Sequence, residues 1–245
     1  MSNLKDLGAA DRDQALNDLF ANVKADVDIL ADLPSKGRFY GAGFQGVRVS
    51  PLTFEDEFKI LRNKGNDPIN EILDRCIKGI KVSDLVIPDK LYLLMKVREI
   101  SYGSEYKFSL ACPKCKGTVD STLDIDGMQI TYAKEDAEDP VTIKLPKLGV
   151  IAKIKLPRVS DEAFLTSDEA PEHLYRFVVE LKGESDPVFI AKAYKRMGIA
   201  DKKAIAQALN KNNFGIDTLF FFECPSCKHT ELMEIPFTGS FFSVS

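Results

Sequence analysis

Four of the five cysteines stand in two doublets, Cys112-Pro113-Lys114-Cys115 and Cys224-Pro225-Ser226-Cys227, with 108 residues between them. Two intervening residues let one tight turn aim both sulfurs at a single ion. A structural Zn²⁺ takes four such ligands at tetrahedral corners. Neither doublet is the ideal place for redox chemistry, because a reactive CxxC normally opens a helix whose dipole stabilises the thiolate. Here alternating residues flank both. Tyr106, Phe108 and Leu110 precede the first doublet, and Val119, Leu123 and Ile125 follow it. Leu219 and Phe221 lead into the second, and Leu232 and Ile235 lead away. That period of two predicts strand, tight turn, strand at each doublet. Cys112, Cys115, Cys224 and Cys227 are therefore expected to hold one structural Zn²⁺ where two hairpin tips meet. Everything between the hairpins must then loop out of the ribbon and return.

The remaining thiol, Cys76, falls on a stripe with Ile69, Ile72, Leu73, Ile77 and Ile80, where a free cysteine acts as a small hydrophobe. The expected helix opens at Asp67-Pro68. A second helix starts at Pro88-Asp89 and runs towards Tyr102, with Leu91, Leu94, Met95 and Arg98 marking its faces. Thr53 is placed to cap a helix whose first turn holds Glu55, Asp56 and Glu57, with Phe58, Ile60 and Leu61 on its apolar side. Leu16, Leu19, Phe20, Val23, Val27 and Leu30 recur at helical spacing near the N-terminus, either packing on the core or offered to another chain.

Val141 to Leu156 alternates as a further hairpin turning near Lys147-Leu148-Gly149, and the acidic loop Lys134 to Asp139 before it is expected in solvent. From 158 to 216 helical patterns dominate: Ser160 to Leu165, Pro171 to Leu181, Pro187 to Met197 and Asp201 to Leu209. Ser160, Asp186 and Gly198 supply caps or stops. Phe189, Ile190, Ala193 and Tyr194 are expected as a buried stripe. The tail carries Phe237, Phe241 and Phe242 and should tuck into the core or a neighbour.

These segments make an α+β protein with four parts. They are an N-terminal helical arm (1–32), a mixed region (33–105), a split zinc-ribbon β domain (106–157 and 217–245) and an inserted helical subdomain (158–216). The 44% hydrophobic and 29% charged content suits a packed core rather than a disordered chain. A net charge of −4 gives no bulk attraction to nucleic acid or anionic lipid. No apolar run approaches the roughly 20 residues of a membrane helix, and the N-terminus lacks the apolar stretch of a secretory signal. A reducing cytoplasm is the expected compartment.

Catalytic patterns are absent. The sequence has no Walker-type phosphate loop, no GxSxG and no HExxH. Only His173 and His229 are available for imidazole chemistry. His229, two residues past Cys227, is expected to face solvent or to sit beside the ligands rather than among them. Four thiolates close a coordination sphere, so the metal is expected to stabilise rather than catalyse.

One stretch of order and spacing carries a likeness. Leu33-Pro34-Ser35-Lys36-Gly37 with Tyr40 is followed by Val47-Arg48-Val49 and by Leu52-Thr53 before Glu55 to Glu57. Then come Ile72-Leu73, Cys76-Ile77, Pro88-Asp89-Lys90, and Arg98 with Tyr102-Gly103 ahead of the first CxxC. Over roughly residues 30 to 130 this resembles the T-even-type bacteriophage baseplate protein family of contractile-tailed phages. The resemblance implies a non-enzymatic structural or assembly protein of the baseplate hub, with other hub proteins and a second copy of itself as candidate partners. It implies assembly in the host cytoplasm or retention in the virion tail. It brings no catalytic residues with it. Two other classes stand beside this one. The first is a zinc-ribbon module for nucleic acid or transcription, suggested by Lys114, Lys116 and Lys228 around the doublets. The second is a hydrolase built on carboxylates that no motif marks.

Overall fold

The computed structural model describes residues 29–56, 58, 68–167, 169–236 and 239–242, together with 13–15 and 18. Leu16, Leu19, Phe20, Val23 and Val27 of the N-terminal stripe lie outside the described residues, as do Ile60, Leu61 and Phe237. Leu30, the last member of that stripe, is not helical. Ile29–Ala31 form strand β1, antiparallel to β2 (Val47–Val49) in the register Ile29↔Val49. The pairing turns Ala31 inward beside Leu33, whereas a helix through Leu30 would leave the edge of β2 unpaired. Thr53 caps as expected. Its hydroxyl accepts the Asp56 amide at 3.3 Å while the Asp56 carboxylate accepts the Thr53 amide at 3.2 Å.

Helix α1 spans Pro68–Cys76 and buries Ile72, Leu73 and Cys76. It ends before the last two members of the predicted stripe, Ile77 and Ile80. Ile77–Lys78 become β3, the third strand of the β1–β2 sheet, because the β-branched Ile77 pairs with Val49. Helix α2, Ile87–Tyr102, carries Pro88 in its first turn and ends at Gly103, whose φ of 86° only glycine adopts freely. Tyr92, Leu93, Leu94, Met95 and Val97 are all buried. A helix apolar on that many sides belongs in the middle of a core. It packs against α1, β2 and the tail.

Hairpin β4–β5 (Glu105–Ala111 and Thr118–Asp124) and hairpin β11–β12 (Leu219–Glu223 and Thr230–Glu234) are in register along their full lengths. Between them β6 (Ile130–Thr131) meets β10 (Gly215–Ile216), which brings the chain back towards its departure point.

The intervening residues build a second core. β7 (Val141–Lys144) and β8 (Ile151–Ile154) form the expected hairpin, but its outer partner is β9, Val178–Leu181. The hairpin grouped above with the ribbon thus joins a three-stranded sheet with residues from the helical stretch. The expected helix Pro171–Leu181 breaks into three pieces: α4 (Ala170–His173, after the short α3, Glu162–Leu165), a 3₁₀ turn (Leu174–Phe177) and β9. Phe177, Val178 and Leu181 then fill the space under α5 (Pro187–Arg196) and α6 (Ile199–Ala208). Asp186 caps α5 by accepting the Val188 and Phe189 amides. Ile190 and Tyr194 are buried as expected, but Phe189 is 46% exposed. Ser160 sits inside a 3₁₀ turn, Val159–Asp161, and is not a cap.

Backbone and charge tie the two cores together. The Val159 amide donates to Leu85 O at 2.9 Å, and Lys90, only 6% exposed, pairs with Glu162 at 2.6 Å. Among the described residues no helix is long and apolar enough to cross a membrane.

Candidate metal centre

Each doublet is the turn of its hairpin, and the two turns share one geometry. The Cys112 amide donates to Gly117 O and the Lys116 amide to Cys112 O, both at 2.9 Å. The Cys224 amide donates to His229 O and the Lys228 amide to Cys224 O, again both at 2.9 Å. The residue after the second cysteine is left-handed in both turns, Lys116 at φ 62° and Lys228 at φ 56°. Side chains there cost energy, and two lysines adopting it at matching positions mark a turn shaped by something stronger than local preference.

The folded chain brings the doublets together. All four Sγ atoms lie within 4.8 Å of one another. Cys112 faces Cys227 at 3.7 Å and Cys115 faces Cys224 at 3.7 Å. A tetrahedral ion with Zn–S bonds of about 2.3 Å sets sulfurs about 3.8 Å apart. The four thiols therefore fit the ligand set of such an ion and could hold a metal. Cys112 and Cys224 are fully buried, Cys227 is partly buried and Cys115 is at the surface. Val119 and Phe222 pack beside the buried pair, with Leu110, Phe220 and Met233 around them.

Backbone dipoles prepare the sulfurs for charge. The Cys115 and Lys114 amides point at Cys112 and bring its thiol down to about 6. The Cys227 and Ser226 amides lower Cys224 in the same way. At Cys227 the His229 amide favours the thiolate, but burial and bonding to the neighbouring thiols outweigh it and raise the group to about 11. Four clustered thiols cannot all ionise without a cation among them. His229 stays outside the cluster, with Nε2 3.2 Å from Glu231. Cys76 lies in the main core, where burial pushes its thiol up to about 12.

Several buried polar residues have roles that local sequence patterns did not announce. Asp89, read as a helix-start residue, is fully buried. Its carboxylate accepts the Ser35 amide at 2.9 Å and the Tyr40 hydroxyl at 2.5 Å. This clamps the Leu33–Tyr40 segment onto α2. Arg158 reaches Phe39 O and the Asp139 carboxylate with one nitrogen. Asp139, expected in a solvent loop, is instead mostly covered by that contact. Arg98 donates to Gly103 O and Glu105 O, fixing the passage from α2 into β4. Two of its neighbours secure the tail: Tyr102 donates to Phe242 O and Tyr106 to Pro236 O. Phe241 and Phe242 are buried, as expected for an apolar tail. Only Asp89 had a local signal, its place with Pro88 at a helix start, and that signal carries no trace of the buried clamp.

No curated protein and no solved structure matched the chain in the comparisons. A family comparison did match, over residues 27–243 and hence over most of the length. The matched stretch takes in the Tyr40–Asp89 clamp, both cysteine turns and the second core. The likeness first seen over residues 30 to 130 therefore extends through the long excursion and the second doublet, and this chain belongs to the T4 bacteriophage base plate protein family.

Proposed function

We propose that this base plate protein is a non-enzymatic structural or assembly component of the baseplate hub, stapled by one Zn²⁺ on Cys112, Cys115, Cys224 and Cys227. The observation that carries this reading is the convergence of four sulfurs, from turns 108 residues apart, to within 4.8 Å inside a base plate family fold. Four thiolates leave no open coordination position, so the ion would supply cross-linking rather than Lewis-acid chemistry. Holding a loop of this length closed removes about 4–5 kcal/mol of unfolded-chain entropy. A two-hairpin unit with this little core gains most from such a link.

The split ribbon would then be the fixed frame. The second core would be a subdomain displayed from it, and residues 1–28, ahead of β1, an arm for partner capture, during assembly in the host cytoplasm and in the tail itself. The working contacts are with other baseplate proteins. Two measurements test this. Purified protein should contain one equivalent of zinc by elemental analysis, and tagged chain should capture baseplate proteins from phage-infected cells. Metal-free protein of undiminished stability would end the ribbon reading, and failure to capture any tail protein would end the structural one.

A further inference from the structure

Two exposed faces of this chain combine apolar side chains with charges, mainly acidic on one and mainly basic on the other. The first is the outer face of β11–β12. Phe221 stands directly opposite Leu232, and Leu219 opposite Glu234, so these side chains share one face with Glu223, which also makes an exposed pair with Lys228 at 3.6 Å. Leu219, Phe221 and Leu232 are 48%, 66% and 64% exposed. The companion hairpin shows what a solvent face looks like in this fold. There Lys107, Ser109, Asp120 and Thr122 point outward, with Ser109 bonded to Asp120. Three large apolar side chains in register are not the scattered exposure of an ordinary surface.

The second face is on α5 and the start of α6. Val188, Phe189 and Ile199 are exposed, the last at 86%. Lys192, Lys195 and Arg196 follow Val188 and Phe189 along the exposed side of α5, and Lys203 is exposed on α6. Residues 186–216 contain only two acids, and both are engaged elsewhere. Asp186 caps α5, and Asp201 is buried, accepting the Lys147 amide. Apart from the Asp186 carboxylate at the start of α5, the charge that reaches solvent is basic.

We propose that the β11–β12 face of one copy docks on the α5–α6 face of the next copy. Phe221 and Leu232 would meet Val188 and Phe189, and Glu223 and Glu234 would meet Lys192, Lys195 and Arg196. An isologous hairpin-to-hairpin dimer would set glutamates against glutamates, whereas the head-to-tail contact sets opposite charges together. A heterologous contact of this kind builds rings or filaments rather than closed pairs. The inference rests on the structural role proposed above and names one partner for it.

The test uses the full zinc-loaded chain in sedimentation velocity. Wild type should form species larger than a monomer, with self-affinity that weakens as salt rises. F221S/L232S and K192E/K195E should each raise the self-dissociation constant at least about tenfold while leaving the melting temperature unchanged. Mixed together, the two variants should recover a one-to-one dimer that grows no further, because each retains the face the other has lost. Wild type that stays monomeric at all concentrations overturns the contact, and so does failure of the mixed variants to pair. If that monomer still captures other baseplate proteins, the structural role stands without it.

Discussion

The Tyr40 hydroxyl donates to Asp89 Oδ2 at 2.5 Å while accepting the Val86 amide at 3.2 Å. The first contact joins residues 49 apart, and Asp89 also takes the Ser35 amide. One buried carboxylate thus organises the Leu33–Tyr40 segment, the approach to α2 and the first turn of α2. Burial raises the Asp89 carboxyl above its ordinary value, with the bonds from Ser35 and Tyr40 opposing the rise. Burial and the same carboxylate push the Tyr40 phenol upward as well.

Replacing Tyr40 by Phe removes a donor and an acceptor together. An oxygen of Asp89 and the Val86 amide are then both left unpaired in a covered site. The expected cost is about 1–3 kcal/mol, seen as a melting temperature lower by roughly 2–4 °C per kcal/mol. Calorimetry on the zinc-loaded protein reads this directly. An unchanged melting temperature would show that the clamp adds nothing to stability.

The raised Asp89 carboxyl has a signed pH consequence. The folded protein retains a proton that the unfolded chain releases near pH 3.9. Stability from this group is therefore complete below about pH 3.9 and is lost as pH rises through the folded-state value. Urea unfolding of wild type and Asp89→Asn across that range isolates it. Wild-type stability minus that of the variant should fall with rising pH; a difference that grows would reverse the assignment.

Cys224→Ser removes one sulfur of the four-thiol cluster at a fully buried position, which tests the proposed zinc site. The variant should lose stoichiometric zinc and melt at lower temperature, whereas Cys76→Ala should keep its metal. Alkylation followed by mass spectrometry gives a second readout. Native holoprotein should label weakly, a chelator should open up to four thiols, and the fifth should react only after unfolding, since Cys76 is buried and its thiol is raised to about 12. Ready labelling of Cys76 in the folded holoprotein would contradict this placement.

Phe241 is fully buried, its ring 4.8 Å from those of Tyr106 and Phe242. Phe241→Ala should cost about 3–5 kcal/mol in chemical denaturation. Phe221→Ala, on the exposed hairpin face, should stay within about 0.5 kcal/mol. Equal effects at the two positions would mean that the tail is not part of the core.

What the sequence disclosed was what short-range physics controls. The doublets, their hairpins, α2, the Thr53 capping pair and the Asp186 cap each depend on residues within a few positions of one another. The errors fall where a distant segment decided the outcome. Leu30 and Ile77 are in strands because β2 lies between them, and Val178–Leu181 extends because β8 offers an edge. Phe189 fits a helical stripe on paper, yet the second core takes Ile190, Ala193 and Tyr194 and leaves Phe189 exposed. The Asp89 clamp and the Arg158–Asp139 pair join residues 19 to 54 positions apart, and no periodicity records such meetings.

The spacing of the two cysteine turns also has a meaning in time. At about 5–20 residues per second, a ribosome needs roughly 5–20 s to pass from the first turn to the second. Throughout that interval the nascent chain presents two thiols that cannot close a tetrahedral site. Only after the second core has been synthesised does the other half of the ligand set emerge. On the zinc reading proposed above, a polypeptide halted anywhere in between would be left with an open clasp, and closure would certify that the intervening subdomain has been made.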